Sequence, residues 1–357
     1  MRFRRLMRLR LVKQGKTEVD VFAHWHPVLL SADLDSKPRT IVLHGRNLVL
    51  FRTQSGGVGA IQEECPHRRM NLARGKVCGE RLVCAYHGWE FSVEGKGSSP
   101  GNPKLSIKAE VFHAQEREGA IWISSSGDIS TFPEISVDGF EYITTQYYRV
   151  RAPMELVLDN FTEVEHTGTT HAMLGYDNAR MGEVTVEVQT GEDTVRVVNR
   201  GPQKFLPWIV ERVFRIRTGD IFVDDWVTCF QPVYTQYEHW WEDPETGKSR
   251  DEHLRTFVFF VPEDDGTTHL FVLAYARSGR GAGFVRKFLL FPLMERLLRL
   301  EIGLDVDMIE GLANKEPHLE GMRLSRFDRV LVLNRRFLES HYRALAKKVP
   351  ESQSLGA

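Results

Sequence analysis

Two short motifs hold residues able to bind metal. Cys65-Pro-His67 is followed, after sixteen intervening residues, by Cys84-Ala-Tyr-His87. Two thiols and two imidazoles in separate loops suit a structural zinc ion, or an iron–sulfur centre in which histidines replace two thiolates on one iron. Zinc fingers usually pair Cys with Cys and His with His, whereas each motif here holds one of each. A second run, Asn160-Phe-Thr-Glu163-Val-Glu-His166-Thr-Gly-Thr-Thr-His171, places two histidines five apart among acids. Glu163 and His166 have the spacing of neighbours on one helical face. On an unbroken helix His166 and His171 would diverge by about 140°, so a break through Thr167, Gly168, Thr169 and Thr170 is expected to bring them together. Two histidines and one carboxylate with open positions form the ligand set of non-haem Fe(II) oxygenases.

The elements that must position these residues are legible in outline. From Trp25 to about Ile123, short β-type runs such as NLVLFRT, VGAIQ and GAIWIS alternate with glycine-marked turns, the pattern of an all-β domain built of hairpins. Gly127 to Gly139, with Pro133 between, reads as a linker. Pro153 is placed to open a helix that carries the second histidine run. Strands follow, among them TVRVVNR, DDWVTCFQPVYTQ and RTFVFFVPE, then a helical stretch over roughly 284–313. There Pro292 predicts a break with a fresh helix just after it. Leu293, Leu297, Leu300, Leu304 and Met308 form a stripe expected to face the core. The fold class is α+β, an all-β domain followed by an antiparallel sheet flanked by helices.

Composition sets bounds on function. The chain has 357 residues, net charge −1, 42% hydrophobic and 27% charged residues, which excludes wholesale disorder and a general nucleic-acid binder. Four cysteines are too few for a disulfide framework; Cys78 and Cys229 are expected to be small buried apolar residues. The Arg-rich stretch MRFRRLMRLRLVK lacks the apolar run of an export signal and reads as a frayed basic extension. No apolar run reaches the ~18 residues of a membrane span. The expected setting is cytoplasmic, without membrane or nucleic acid.

C-x-H…C-x-x-H, ending in His87-Gly88-Trp89, resembles the Rieske [2Fe–2S] motif, and N-x-x-(acid)-x-x-His-x4-His at this distance resembles the iron-binding signature of Rieske non-haem iron oxygenases. The resemblance covers roughly residues 20 to 340 and is nearest to the single-subunit, trimeric branch that includes vanillate and dicamba O-demethylases, caffeine N-demethylases and the N-oxygenase of aminopyrrolnitrin. It implies a basic extension over 1–20, a Rieske domain over 21–126, a linker over 127–140, a mononuclear iron catalytic domain over 141–345 and a tail over 346–357. One cluster held by Cys65, His67, Cys84 and His87 is implied, together with one Fe(II) held by His166, His171 and Asp305, with Asp307 as the alternative. Met70 and Tyr86 stand where respiratory Rieske proteins carry an extra disulfide. The family's usual aspartate bridge to a neighbouring subunit's cluster histidine is here Glu163, longer by a methylene, and Asn160 is a supporting amide.

The resemblance further implies an oxygenase, a monooxygenase rather than a dioxygenase, that uses O2 and acts on a small aromatic or hydrophobic molecule by hydroxylation, demethylation or N-oxygenation. Electrons would come from a ferredoxin or flavoprotein reductase, NAD(P)H serving only through that separate protein, and the assembly would be a homotrimer. Phe205, Trp208, Trp226, Phe230, Tyr234, Tyr237 and Trp240 supply candidates for the pocket wall. Arg68, Arg69, Arg74, Lys76 and Arg81, opposed only by Glu80, offer either a basic rim for an acidic electron donor or contacts within the trimer. The alternatives are an electron carrier or redox sensor without a working mononuclear site, and a zinc protein.

Overall fold

The computed structural model describes residues 21–277 and 289–343; the basic extension, the segment 278–288 and the tail lie outside the described residues. A six-stranded sheet is built from β1 (His26–Leu30), β2 (Arg39–Leu43), β3 (Arg46–Arg52), β4 (Val58–Gln62), β10 (Val111–Arg117) and β11 (Ala120–Ser124) in the order β1-β11-β10-β4-β3-β2. Between β4 and β10 the chain leaves it to form a small sheet of β5 (Lys76–Cys78), β6 (Arg81–Val83), β7 (Glu90–Phe91), β8 (Lys96–Ser98) and β9 (Ile107–Lys108). That small sheet closes over its own core of Val49, Phe51, Leu72, Leu82 and Phe91, which also buries Cys65 and Cys84.

A seven-stranded antiparallel sheet follows: β12 (Glu141–Val150), β13 (Thr185–Thr190), β14 (Thr194–Pro202), β15 (Ile221–Phe230), β16 (Val233–Glu242), β17 (Ser249–Asp264) and β18 (Thr267–Arg277), ordered β12-β18-β17-β16-β15-β14-β13. Most of it is a meander, because consecutive strands joined by short turns pair with each other. Alternation shows in β14, where Val195, Val197 and Asn199 turn inward while Arg196 and Arg200 face out. Among the described residues four α-helices accompany the sheet: α1 (Met154–Phe161), α2 (Trp208–Phe214), α3 (Phe291–Glu310) and α4 (Arg329–Phe337).

Two expectations about helices need correction. The helix after Pro153 stops at Phe161, and a separate 3-10 turn spans Glu165–Gly168, so Glu163 and His166 do not share one α-helical face. In α3 Pro292 lies in the first turn, where its missing N–H costs nothing. The leucine stripe, however, does not face the core: Leu293, Leu300 and Met308 are exposed, and the buried face instead holds Phe291, Glu301, Ile302, Asp305 and Ile309. Two acids on a buried face are the reason the apolar stripe misleads. The helix turns inward the side that carries Asp305.

The described core is continuous between the two larger sheets. Trp122 of β11 sits edge-on to Phe259 of β17, ring centres 4.8 Å apart, inside one apolar cluster drawn from both. At the same junction the β2–β3 turn docks by backbone bonds, His44 N–H to the Pro262 carbonyl (3.0 Å) and Gly45 N–H to that of Glu263 (2.7 Å).

Candidate active site and cluster-binding loops

The two Cys-His loops are built alike. In each, the cysteine carbonyl accepts from the N–H four residues on, Arg69 (2.9 Å) or Gly88 (3.1 Å), and the cysteine N–H donates to the carbonyl five residues on, Met70 (2.9 Å) or Trp89 (2.8 Å). The fourth residue has left-handed backbone in both, φ 55° at Arg69 and 68° at Gly88, a conformation glycine adopts without strain and arginine does not. The cysteines are thereby held in the small core, 1% and 3% exposed. The imidazoles of His67 and His87 meet at the tip, centroids 4.4 Å apart, with His67 stacked flat on Trp89 at 4.5 Å. Burial pushes the Cys65 thiol up to about 11, so its thiolate needs a bound cation to form at neutral pH.

Among the described residues only His166, His171 and Asp305 have donor atoms all within 4.8 Å of one another. Arg68, Arg69, Arg74 and Lys76 are exposed, Arg68 over the ring of Tyr86 next to His87, while Arg81 pairs with Glu90 at 3.2 Å. Cys78 is exposed and Cys229 only half-buried, contrary to the expectation that both are buried.

The triad is assembled from three places. His166 lies on the 3-10 turn after α1, His171 on the loop beyond it, and Asp305 on the buried face of α3. The break between the histidines brings their rings to 5.0 Å, nearly perpendicular. Asp305 Oδ1 stands 3.2 Å from His166 Nε2 and 3.0 Å from His171 Nε2, and also accepts from the Asn160 amide at 2.9 Å. Glu163 hydrogen-bonds His166 Nδ1 despite the missing helix, and its second oxygen accepts from the Glu165 N–H at 2.7 Å. Burial opposes a charged His166, but the bonds to Asp305 and Glu163 win and push it up to about 10. Burial would likewise raise Asp305; the bonds from both histidines hold it well below the usual carboxylate range instead. Asp307 is exposed on the far side of α3 and Glu165 is exposed, so neither joins the group. Two imidazoles and a buried carboxylate sharing one focus fit a divalent cation.

Two supporting residues escape sequence reasoning. Glu301, one helical turn before Asp305, accepts from the N–H groups of Ala172 (3.1 Å) and Met173 (2.8 Å) and so ties the histidine loop to α3. Its position four residues ahead of Asp305 is a signal that was there to use. Lys204 donates to the carbonyls of Thr167, Gly168 and His171 at 3.1, 3.2 and 2.6 Å; nothing local in the sequence marks it. Gly175 lets this loop close, since a Cβ there would come within 2.5 Å of the Thr167 side chain.

A chamber of about 100 Å3 adjoins the triad, walled by Phe161, Phe222, Tyr237, Leu298 and Ile302 among others. Of the seven aromatic residues, a subset expected in its wall and the rest in the core, Tyr237 alone lines it. Phe205 and Trp208 are exposed, Trp226, Phe230 and Tyr234 are buried in the core, and Trp240 donates to Glu242. Period-2 alternation sends neighbouring strand residues to opposite faces, so an aromatic-rich run does not make one wall. A second cavity of about 110 Å3 shares Leu174, Leu254, Leu298 and Glu301 with the first and is lined by Leu206, Val210 and Trp241.

Comparison with known proteins follows the same division. A Rieske [2Fe-2S] domain model matches residues 24–109, and a model of the vanillate O-demethylase oxygenase C-terminal domain matches residues 150–344. Chlorophyllide a oxygenase of Oryza sativa subsp. japonica is 32% identical over 152 residues, 41% of this chain and 28% of that protein. The 3-chlorobenzoate-3,4-dioxygenase oxygenase subunit of Comamonas testosteroni is 36% identical over 120 residues, 31% of this chain and 28% of that one. The matched part thus spans little more than a quarter of these relatives. Dicamba monooxygenase bound to 3,6-dichlorosalicylic acid shares the fold with TM-score 0.73 at 20% identity, over 92% of this chain and 98% of that one. Pseudomonas putida CBB5 NdmA with caffeine does so with TM-score 0.69 at 22% identity, over 89% and 90%.

Proposed function

We propose, since the chain belongs to the family of the vanillate O-demethylase oxygenase C-terminal domain, that it is a reductase-fed terminal oxygenase acting on a small aromatic or hydrophobic molecule, by monooxygenation rather than dioxygenation. The observation that carries this reading is the triad, two imidazoles and one carboxylate focused beside an apolar chamber. Cys65, His67, Cys84 and His87 would hold the [2Fe–2S] cluster and His166, His171 and Asp305 the Fe(II), within domains spanning 21–126 and 141–345. When bound, the two groups supply one-electron transfer and O2 activation.

The protein's own residues do the remaining work. Asn160 fixes the Asp305 carboxylate by its hydrogen bond to Oδ1, leaving that oxygen aligned for a cation. Glu163 sets the His166 tautomer by accepting from Nδ1, which turns Nε2 toward the focus. Leu298, Ile302 and Phe222 exclude water from the chamber. In a homotrimer, Glu163 is the carboxylate that would face a cluster histidine of a neighbouring copy, and the exposed position of His67 supports such an approach. The basic residues at the cluster tip suit an acidic ferredoxin or flavoprotein, in a cytoplasmic setting. Among the described residues no helix is long and apolar enough to cross a membrane.

Metal and acid-labile sulfide content per chain, after anaerobic purification, tests the reading. Three irons with two sulfides are expected. Two irons with two sulfides that iron reconstitution does not raise would leave only an electron carrier, and zinc without sulfide would overturn the assignment.

A further inference from the structure

The chamber beside the triad has an unusual charge balance. Glu163, Asp224, Glu301 and Asp305 line it, and no lysine or arginine does among the described residues. A divalent ion on the triad would still leave the four carboxylates in excess. Three of them are engaged by the protein itself: Glu163 by His166, Glu301 by two backbone N–H groups, and Asp305 by both histidines and Asn160.

Asp224 is different. It lies on β15 directly across from His239 of β16, 7% exposed. His239 Nε2 is 3.0 Å from its Oδ1 without making a hydrogen bond to it, and Asp224 Oδ1 and His239 Nδ1 are both buried without a hydrogen-bond partner. The imidazole is held in place by near-parallel rings on both sides, Phe222 and Tyr237, each with its centroid 5.7 Å away. A buried carboxylate oxygen without a hydrogen bond is destabilising and favours a ligand that brings a donor.

We propose that Asp224, with His239 beside it, sets the substrate class: the chamber takes an aromatic molecule bearing a neutral or cationic hydrogen-bond donor, an alcohol, phenol or amine, and discriminates against aromatic carboxylates. The inference rests on the oxygenase reading of the same site. An incoming carboxylate would meet Asp224 in a chamber that no lysine or arginine lines among the described residues, an arrangement that rejects by repulsion as well as by a missing bond. A hydroxyl or ammonium group would complete the bonding of Asp224 instead.

Three probes with one skeleton separate these cases: 4-methoxybenzylamine, 4-methoxybenzyl alcohol and 4-methoxybenzoate, titrated calorimetrically into the iron-loaded protein under anaerobic conditions. The amine and the alcohol are expected to bind at least about tenfold more tightly than the carboxylate. Asp224→Asn, with unchanged iron content, should narrow that gap by about tenfold. The wild-type ranking stands as a test by itself if the variant does not fold. A carboxylate bound as tightly as the other two, or a ranking that Asp224→Asn leaves unchanged, overturns the inference while the oxygenase reading survives. If no probe binds iron-loaded protein, the aromatic-substrate reading falls and the inference falls with it.

Discussion

Asn160 and Glu163 act on the triad from two sides, one holding the carboxylate and the other an imidazole. Asn160→Ala frees Asp305 to turn, and should weaken iron retention by about 10–100-fold, read as iron per chain after dialysis against graded chelator. Glu163→Gln keeps length but loses charge. It should leave iron content intact while product formed per unit time falls by about tenfold or more; equal rates would remove Glu163 from electron delivery. Residues close together in the chain were legible because their spacing is itself the signal: Cys65 to His67, Cys84 to His87, and Asn160 to His171. Asp305 stands 134 residues beyond His171 and came from the family resemblance alone. Asp224 and His239 were not legible, because only the register of two strands puts them opposite each other.

Among the elements, α3 shows how a hydrophobic pattern misdirects. It buries only three apolar residues, Phe291, Ile302 and Ile309, and leaves Leu293, Leu300 and Met308 exposed, because part of the inward face is given to Glu301 and Asp305. Ile302→Ala should therefore cost about 2–4 kcal/mol in urea unfolding and Leu300→Ala no more than about 0.5. The reverse order would mean that the stripe is core after all. The histidine loop depends on a single cation for three of its carbonyls. Lys204→Met should lower stability by about 1–3 kcal/mol and release iron at lower chelator concentration, whereas a melting temperature within error of wild type would show that water replaces the ammonium. The all-β domain and the meander were visible in turn residues and alternation. The helix end at Phe161 was not, since the residues after it are equally compatible with helix.

For the molecule as a whole, the junction between the sheets carries a pH dependence. Burial lowers His26 to about 4 and His44 to about 3, and His44 Nε2 bonds the Tyr342 hydroxyl at 2.6 Å. An unfolded chain takes up these protons below about pH 6.5, whereas the folded chain resists until about 4 and 3. The stabilisation is thus complete above pH 6.5 and is lost as pH falls from there toward 4 and then 3, by up to about 1.4 kcal/mol per pH unit for each histidine. Melting temperature should drop across that window. His44→Phe should be less stable at pH 7.5 yet show a shallower fall, and an unchanged slope would remove His44 from the effect.

Trp122 against Phe259 has a mechanical consequence. Both sheets bury the same side chains, so swinging one away from the other would expose both to water at once. Among the described residues the two larger sheets stay packed through this shared core. On the proposed reading, the timing of electron delivery then belongs to what arrives at the histidine tip and not to a parting of the two larger sheets.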